Sequence, residues 1–181
     1  DRCRGVLIGL AAGDRIGGPI RMALRLAESL VETGRFDPAD VLGRYLAWWR
    51  EDAFDTGPVS ARALALVAAG LPVEEATAQV HRDFAGMTAG CNPAHRSPPL
   101  VMCASIADDD LDGCVMAEAR LTHHDPLAGE VAVAATRLCR ALVRGNGWDV
   151  ALLRVGGFAA PEGPGDNGGQ APGVLRGALP F

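Results

Sequence analysis

Residues 122–129, THHDPLAG, place two histidines and an aspartate side by side, types that can ligate a metal, move a proton or cap a helix. The spacing argues against a shared metal. Helical ligand pairs sit three or four residues apart on one face, and adjacent positions do not. Asp125 ahead of Pro126 reads as an N-cap, its carboxylate accepting from free backbone N–H groups of a helix running to about Arg144. Cys91 and His95 supply the types for a nucleophile–base pair, but no third group to orient the base is identifiable. Three loops collect the remaining polar chemistry: GDRIGGP (13–19), EDAFDTGP (51–58) and TAGCNPAHRSPP (88–99). Gly, Asp, Asn and Arg between helices expose backbone donors that can cradle an anion or a sugar, and they also turn corners in any helical protein.

The elements around these loops read as helices. CRGVLIGLAAGD is an apolar helix running out at Gly13-Asp14, where Asp14 is expected to fix its end. Residues 20–33 put Met22, Leu26, Ser29 and Leu30 on one face, with Gly34 as a stop. Asp37-Pro38 caps the next helix, in which Trp48 and Trp49 are expected to pack rather than form a stacking platform. Further helical runs cover 58–70, 73–84, about 99–107, 110–121, 126–144 and 147–156, while 85–98 and 157–171 read as irregular. The glycines of FAAPEGPGDNGGQAP neither follow a strand nor carry a Lys-Ser/Thr signature, so they do not read as a P-loop. Strand alternation is absent from the pattern, and the class is all-α.

A chain of 181 residues suggests one domain, 1–181. Aromatics are 5%, so the core must be built from Ala, Leu and Val, and all 17 basic residues are arginine. A net charge of −5 with no basic stripe argues against nucleic acid. No apolar run reaches membrane-spanning length and no signal-peptide pattern is present. Asp1 in place of Met points to a trimmed or unshown start. Five cysteines, an odd count without CxxC spacing, fit reduced thiols in a cytoplasm.

The order GLAAGD-x-x-GGP, ALxLAESL, RYLAWW, FDTG, AG-x-N-P-A-x-RS-x-P and LTHHDP resembles the ADP-ribosylglycohydrolase family, which includes the dinitrogenase-reductase-activating glycohydrolases. The resemblance runs from residue 2 to about 178. It implies an all-helical fold that hydrolyses an ADP-ribosyl or related ribosyl glycosidic bond in a small-molecule or ADP-ribosylated substrate. It also implies two Mg²⁺ or Mn²⁺ ions, held by a Thr-Asp-Asp-Thr motif before an early helix and an Asp-x-Asp-Thr motif on a late one. Here the chain passes from GGPI straight into RMALRLAESL with nothing acidic between Gly18 and Glu28, and the late motif would lie beyond GVLRGALPF. No metal ligand is therefore assigned, and the alternative function is a metal-free relative that binds a nucleotide-sugar or other small molecule.

By the resemblance, Asp55 of FDTG matches a cleft aspartate and is the candidate catalytic residue, its alternative role being an N-cap near Pro58. AGCNPAHRSPP resembles a Gly-Asn-Gly loop that holds the diphosphate, with Cys91 in place of Asn, Asn92 in place of the second Gly and His95 in place of Met. Gly90, Cys91, Asn92 and Arg96 are the implied substrate-binding residues, joined by His123 of the Leu-Thr-His element. His124 is expected to face solvent. Arg15 departs from the small residue usual at its corner, where it would intrude on the cleft.

Overall fold

The computed structural model of the chain describes residues 2–14 and 17–155. Among these, the elements in order are α1 (Arg2–Gly13), α2 (Gly18–Thr33), α3 (Pro38–Glu51), α4 (Pro58–Ala68), α5 (Val73–Asp83), α6 (Asn92–Arg96), a 3-10 helix (Pro98–Met102), α7 (Asp108–Ala119), α8 (Pro126–Val143) and α9 (Trp148–Arg154). The described residues contain no strand element, so the class is all-α as the pattern implied. No helix among them is long and apolar enough to cross a membrane.

Local chemistry accounts for the boundaries. Asp37 accepts from the N–H groups of Ala39 and Asp40, and Asp125 accepts from Leu127 at 3.0 Å, each ahead of a proline tolerated in the first turn. Gly34 ends α2 at φ 69, its N–H returning to the Leu30 carbonyl, a left-handed cap that glycine adopts without a Cβ clash.

The core sits where α2, α3, α7 and α8 converge, built from Met22, Leu26, Val41, Tyr45, Trp48, Leu64, Leu100, Leu111, Val115 and Leu121. Trp48 is buried there, and Trp49 packs partly buried against the same cluster. With few aromatics, close approach replaces bulk: a Cβ on Gly129 of α8 would lie 2.6 Å from the Met116 sulfur of α7.

Two expectations are corrected. The run at 99–107 holds only the 3-10 helix, which stops where Cys103 turns extended at φ −72, ψ 117. Conversely, 85–98 contains α6, a five-residue turn too short for periodicity to reveal. The loop at 157–171, the end of the chain at GVLRGALPF and Arg15 lie outside the described residues.

Candidate functional site

One cavity of about 960 Å³ gathers the polar loops, close to the upper end of the roughly 300–1,000 Å³ usual for small-molecule sites. Its walls come from far-apart segments: Leu10, Gly13 and Asp14 at the end of α1; Pro19; Asp55 and Gly57–Ser60 leading into α4; Phe84 and Met87; Ala89–Asn92; His95 and His123. Among the described residues, no arginine lines it.

Asp14 does more than end α1. Its two carboxylate oxygens accept from the Gly17 N–H at 2.9 Å and the Ile20 N–H at 2.8 Å, so it caps the start of α2 from outside the helix. Gly17 turns there at φ 89. Gly18 then packs so tightly that a Cβ would fall inside the Asp55 carbonyl. Arg21 of α2 pairs with Asp52 and lies 5.3 Å from the Phe54 ring centroid, tethering the same loop. Asp55 is exposed at the cavity edge at φ 50, a left-handed conformation that aspartate tolerates better than most residues. It does not cap α4. The N-cap is Gly57, which provides no side-chain bond.

Opposite lies the 89–95 segment. Asn92, in place of a second glycine, opens α6 with ordinary helical geometry, so its replacement carries no positive-φ strain. Its amide N–H donates to the Thr56 carbonyl at 3.0 Å, joining this wall to the Asp55 turn. Gly90 leaves room for His123: a Cβ there would stand 3.0 Å from Nε2. His123 is buried, with Nδ1 2.8 Å from the Thr122 hydroxyl, and burial reinforced by Arg96 pushes its imidazole well below its usual value. Burial also lowers His95, against an opposing pull from Asp14, and raises the Cys91 thiol. Cys91 and His95 thus both face the cavity, but as a thiol and a neutral imidazole, not as an activated pair. His124 is exposed, its ring centroid 5.1 Å from that of His81.

Arg96 is placed differently from the other implied binding residues. It has no exposed surface and does not line the cavity. Its Nε donates to Glu118 Oε1 at 2.6 Å, one Nη donates to the Asn92 side-chain oxygen and the other to the Glu118 carbonyl. The same carboxylate accepts from Tyr45 at 2.8 Å and from Ser97 at 3.0 Å. Burial pulls the guanidinium down, yet Glu118 and Tyr45 raise it on balance, keeping it charged. Arg96 therefore fixes Asn92 from behind the wall.

The donor set of the described residues does not fit a two-metal centre. Asp14 is spent on backbone N–H groups, Asp55 is a single carboxylate, and the described residues contain no group of three or more His, Cys, Asp or Glu able to hold an ion.

Comparison with known proteins places this geometry. ADP-ribosyl-[dinitrogen reductase] glycohydrolase of Rhodospirillum rubrum is 24% identical over 182 aligned positions, covering 81% of this chain, and the chain spans 60% of that protein's length. A solved structure described as an ADP-ribosylglycohydrolase-related protein complex has a TM-score of 0.71 and 32% identity, covering 99% of this chain and 74% of that one. The family model described as ADP-ribosylglycohydrolase matches residues 20–164, and with that match over most of its length the chain belongs to the ADP-ribosylglycohydrolase family.

Proposed function

We propose that residues 1–181 form a single ADP-ribosylglycohydrolase-like domain whose cavity receives an ADP-ribosyl group, the reaction being hydrolysis of an ADP-ribosyl or related ribosyl glycosidic bond. The observation that carries the reading is the convergence of Asp55, Gly90, Cys91, Asn92 and His123 on one cavity large enough for a nucleotide sugar. In this reading Asp55 takes the proton of the attacking water, since a carboxylate at a cavity edge can serve as a general base for glycoside cleavage. His123 and His95 present neutral nitrogens to sugar hydroxyls, and Gly90 keeps that face open. Arg96 positions Asn92 without touching the ligand. The five cysteines are free thiols, which supports a reducing, cytoplasmic setting.

A second reading, a member that binds the nucleotide sugar without cleaving it, is favoured by the lack of a metal-binding cluster among the described residues. The deciding experiment incubates the full chain with an ADP-ribosylarginine peptide, with and without Mg²⁺, and measures free ADP-ribose by chromatography alongside a thermal shift with ADP-ribose. Metal-free release supports hydrolysis by these residues. Release only with Mg²⁺ means that acids outside residues 2–14 and 17–155 supply the ligands. A shift without release selects the binding reading, and neither a shift nor release rejects both.

A further inference from the structure

His81 stands in the last turn of α5 and His124 just ahead of the Asp125 cap of α8. Neither lines the cavity, and their rings meet with centroids 5.1 Å apart and planes tilted by 46°.

The backbone prepares the first of them. Beyond α5 the chain turns back through Ala85 and Gly86 at φ 51 and 81, the Gly86 N–H returning to the His81 carbonyl at 2.8 Å. That turn delivers the buried Thr88, whose hydroxyl lies 2.6 Å from His81 Nδ1. With Nδ1 engaged, Nε2 is the ring nitrogen left over. Gly86 stands beside it without a side chain, and even a Cβ there would be 3.8 Å away. His124 is exposed, so its ring can turn a nitrogen toward the same point.

Imidazole is a ligand for Zn²⁺, Ni²⁺ and Cu²⁺, whereas Mg²⁺ takes oxygen. Two imidazoles on one tetrahedral ion, each nitrogen about 2.0–2.1 Å from it, hold their centroids about 5 Å apart, the separation found here. A ligating histidine also gives its other ring N–H to a protein oxygen, the place that Thr88 takes at Nδ1.

We propose that His81 and His124 form a two-histidine site for Zn²⁺ or a similar imidazole-seeking divalent ion, His81 binding through Nε2 and donating its Nδ1–H to the Thr88 hydroxyl. The described residues offer no cluster of three or more His, Cys, Asp or Glu, so water fills the other positions and the ion exchanges. Phe84 and Met87 follow His81 along the chain and His123 precedes His124, so the ion ties together two segments that line the cavity.

The test is calorimetric titration of the untagged full chain with Zn²⁺ alone and with Mg²⁺ alone, repeated on His81→Ala and His124→Ala. His124 is exposed, so its variant keeps the parent's melting temperature, while His81→Ala also gives up the Thr88 bond. The expected result is one Zn²⁺ site in the parent, weakened roughly tenfold or more by either substitution, with any Mg²⁺ response the same in all three proteins. Zn²⁺ should also raise the melting temperature of the parent more than that of either variant. Parent-like Zn²⁺ affinity in either variant would assign the ion to other groups, such as the free thiols, and overturn the pair. Absence of Zn²⁺ binding by the parent chain would overturn it as well.

Discussion

Glu118→Ala is the most demanding perturbation the fold offers. The carboxylate is completely buried and accepts from Arg96, Tyr45 and Ser97, three side chains on two other segments. Its removal leaves a guanidinium with no exposed surface facing no counter-charge, a situation that costs about 3–5 kcal/mol. The stranded Tyr45 hydroxyl would add about 1–3 kcal/mol if independent, but water can enter the vacated space, and Ser97 keeps its bond to the Pro93 carbonyl at 2.6 Å. The working figure is a loss of about 4 kcal/mol, a large part of a typical total of roughly 5–15 kcal/mol. For a chain of this size that lowers the melting temperature by roughly 8–16 °C. Urea unfolding followed by far-UV circular dichroism measures it, the midpoint falling with the slope unchanged. The paired change Arg96→Met with Glu118→Leu removes both charges together and should recover at least half the loss. A single-variant loss under about 1 kcal/mol, or a double variant no better than Glu118→Ala, would refute the account of a charge held in place by its partner.

Two further expectations follow from the cavity. Gly18→Ala forces a Cβ into the Asp55 backbone carbonyl, an atom that cannot rotate away, so about 1–3 kcal/mol of stability should go; a thermal melt together with ADP-ribose titration checks it, and an unchanged pair would contradict the packing. The folded-state value of His123 is depressed well below 6.5, so the unfolded chain takes up its proton first. Its contribution is complete above about pH 6.5 and is lost as pH falls, with a slope of up to about 1.4 kcal/mol per pH unit, to which His95 adds in the same sense. Urea midpoints between pH 7 and pH 5 should fall steeply in the parent chain and less in His123→Gln.

The long helices were readable because caps and periodicity agree. Asp37-Pro38, Asp125-Pro126 and Gly34 all act as their types suggest. α6 was not readable, because five residues carry no period, and the contact of its Arg96 with Glu118 on α7 is a tertiary one. For the site, the motif order identified which loops meet, and Asp55, Gly90, Cys91, Asn92 and His123 do share a cavity. Direction was harder: Arg96 points into the core, and the Asp14 carboxylate reaches forward to α2 while its N–H returns to the Leu10 carbonyl at the end of α1. One signal was present for the buried network. Glu118 falls on the stripe of Leu111 and Val115, and an acid on an apolar helix face needs a hidden partner. Gly18 left no such trace, since close approach exists only in three dimensions.

α1 has no buried residue, yet its final turn supplies part of the cavity wall. Such a helix can detach at a free energy far below that of global unfolding, and the cavity loses a side each time it does. A molecule seated there therefore bridges a helix with no buried residue to helices that carry the core. The free energy of binding is then also free energy that keeps α1 attached, and the apparent affinity is reduced by whatever fraction of the time that helix is away.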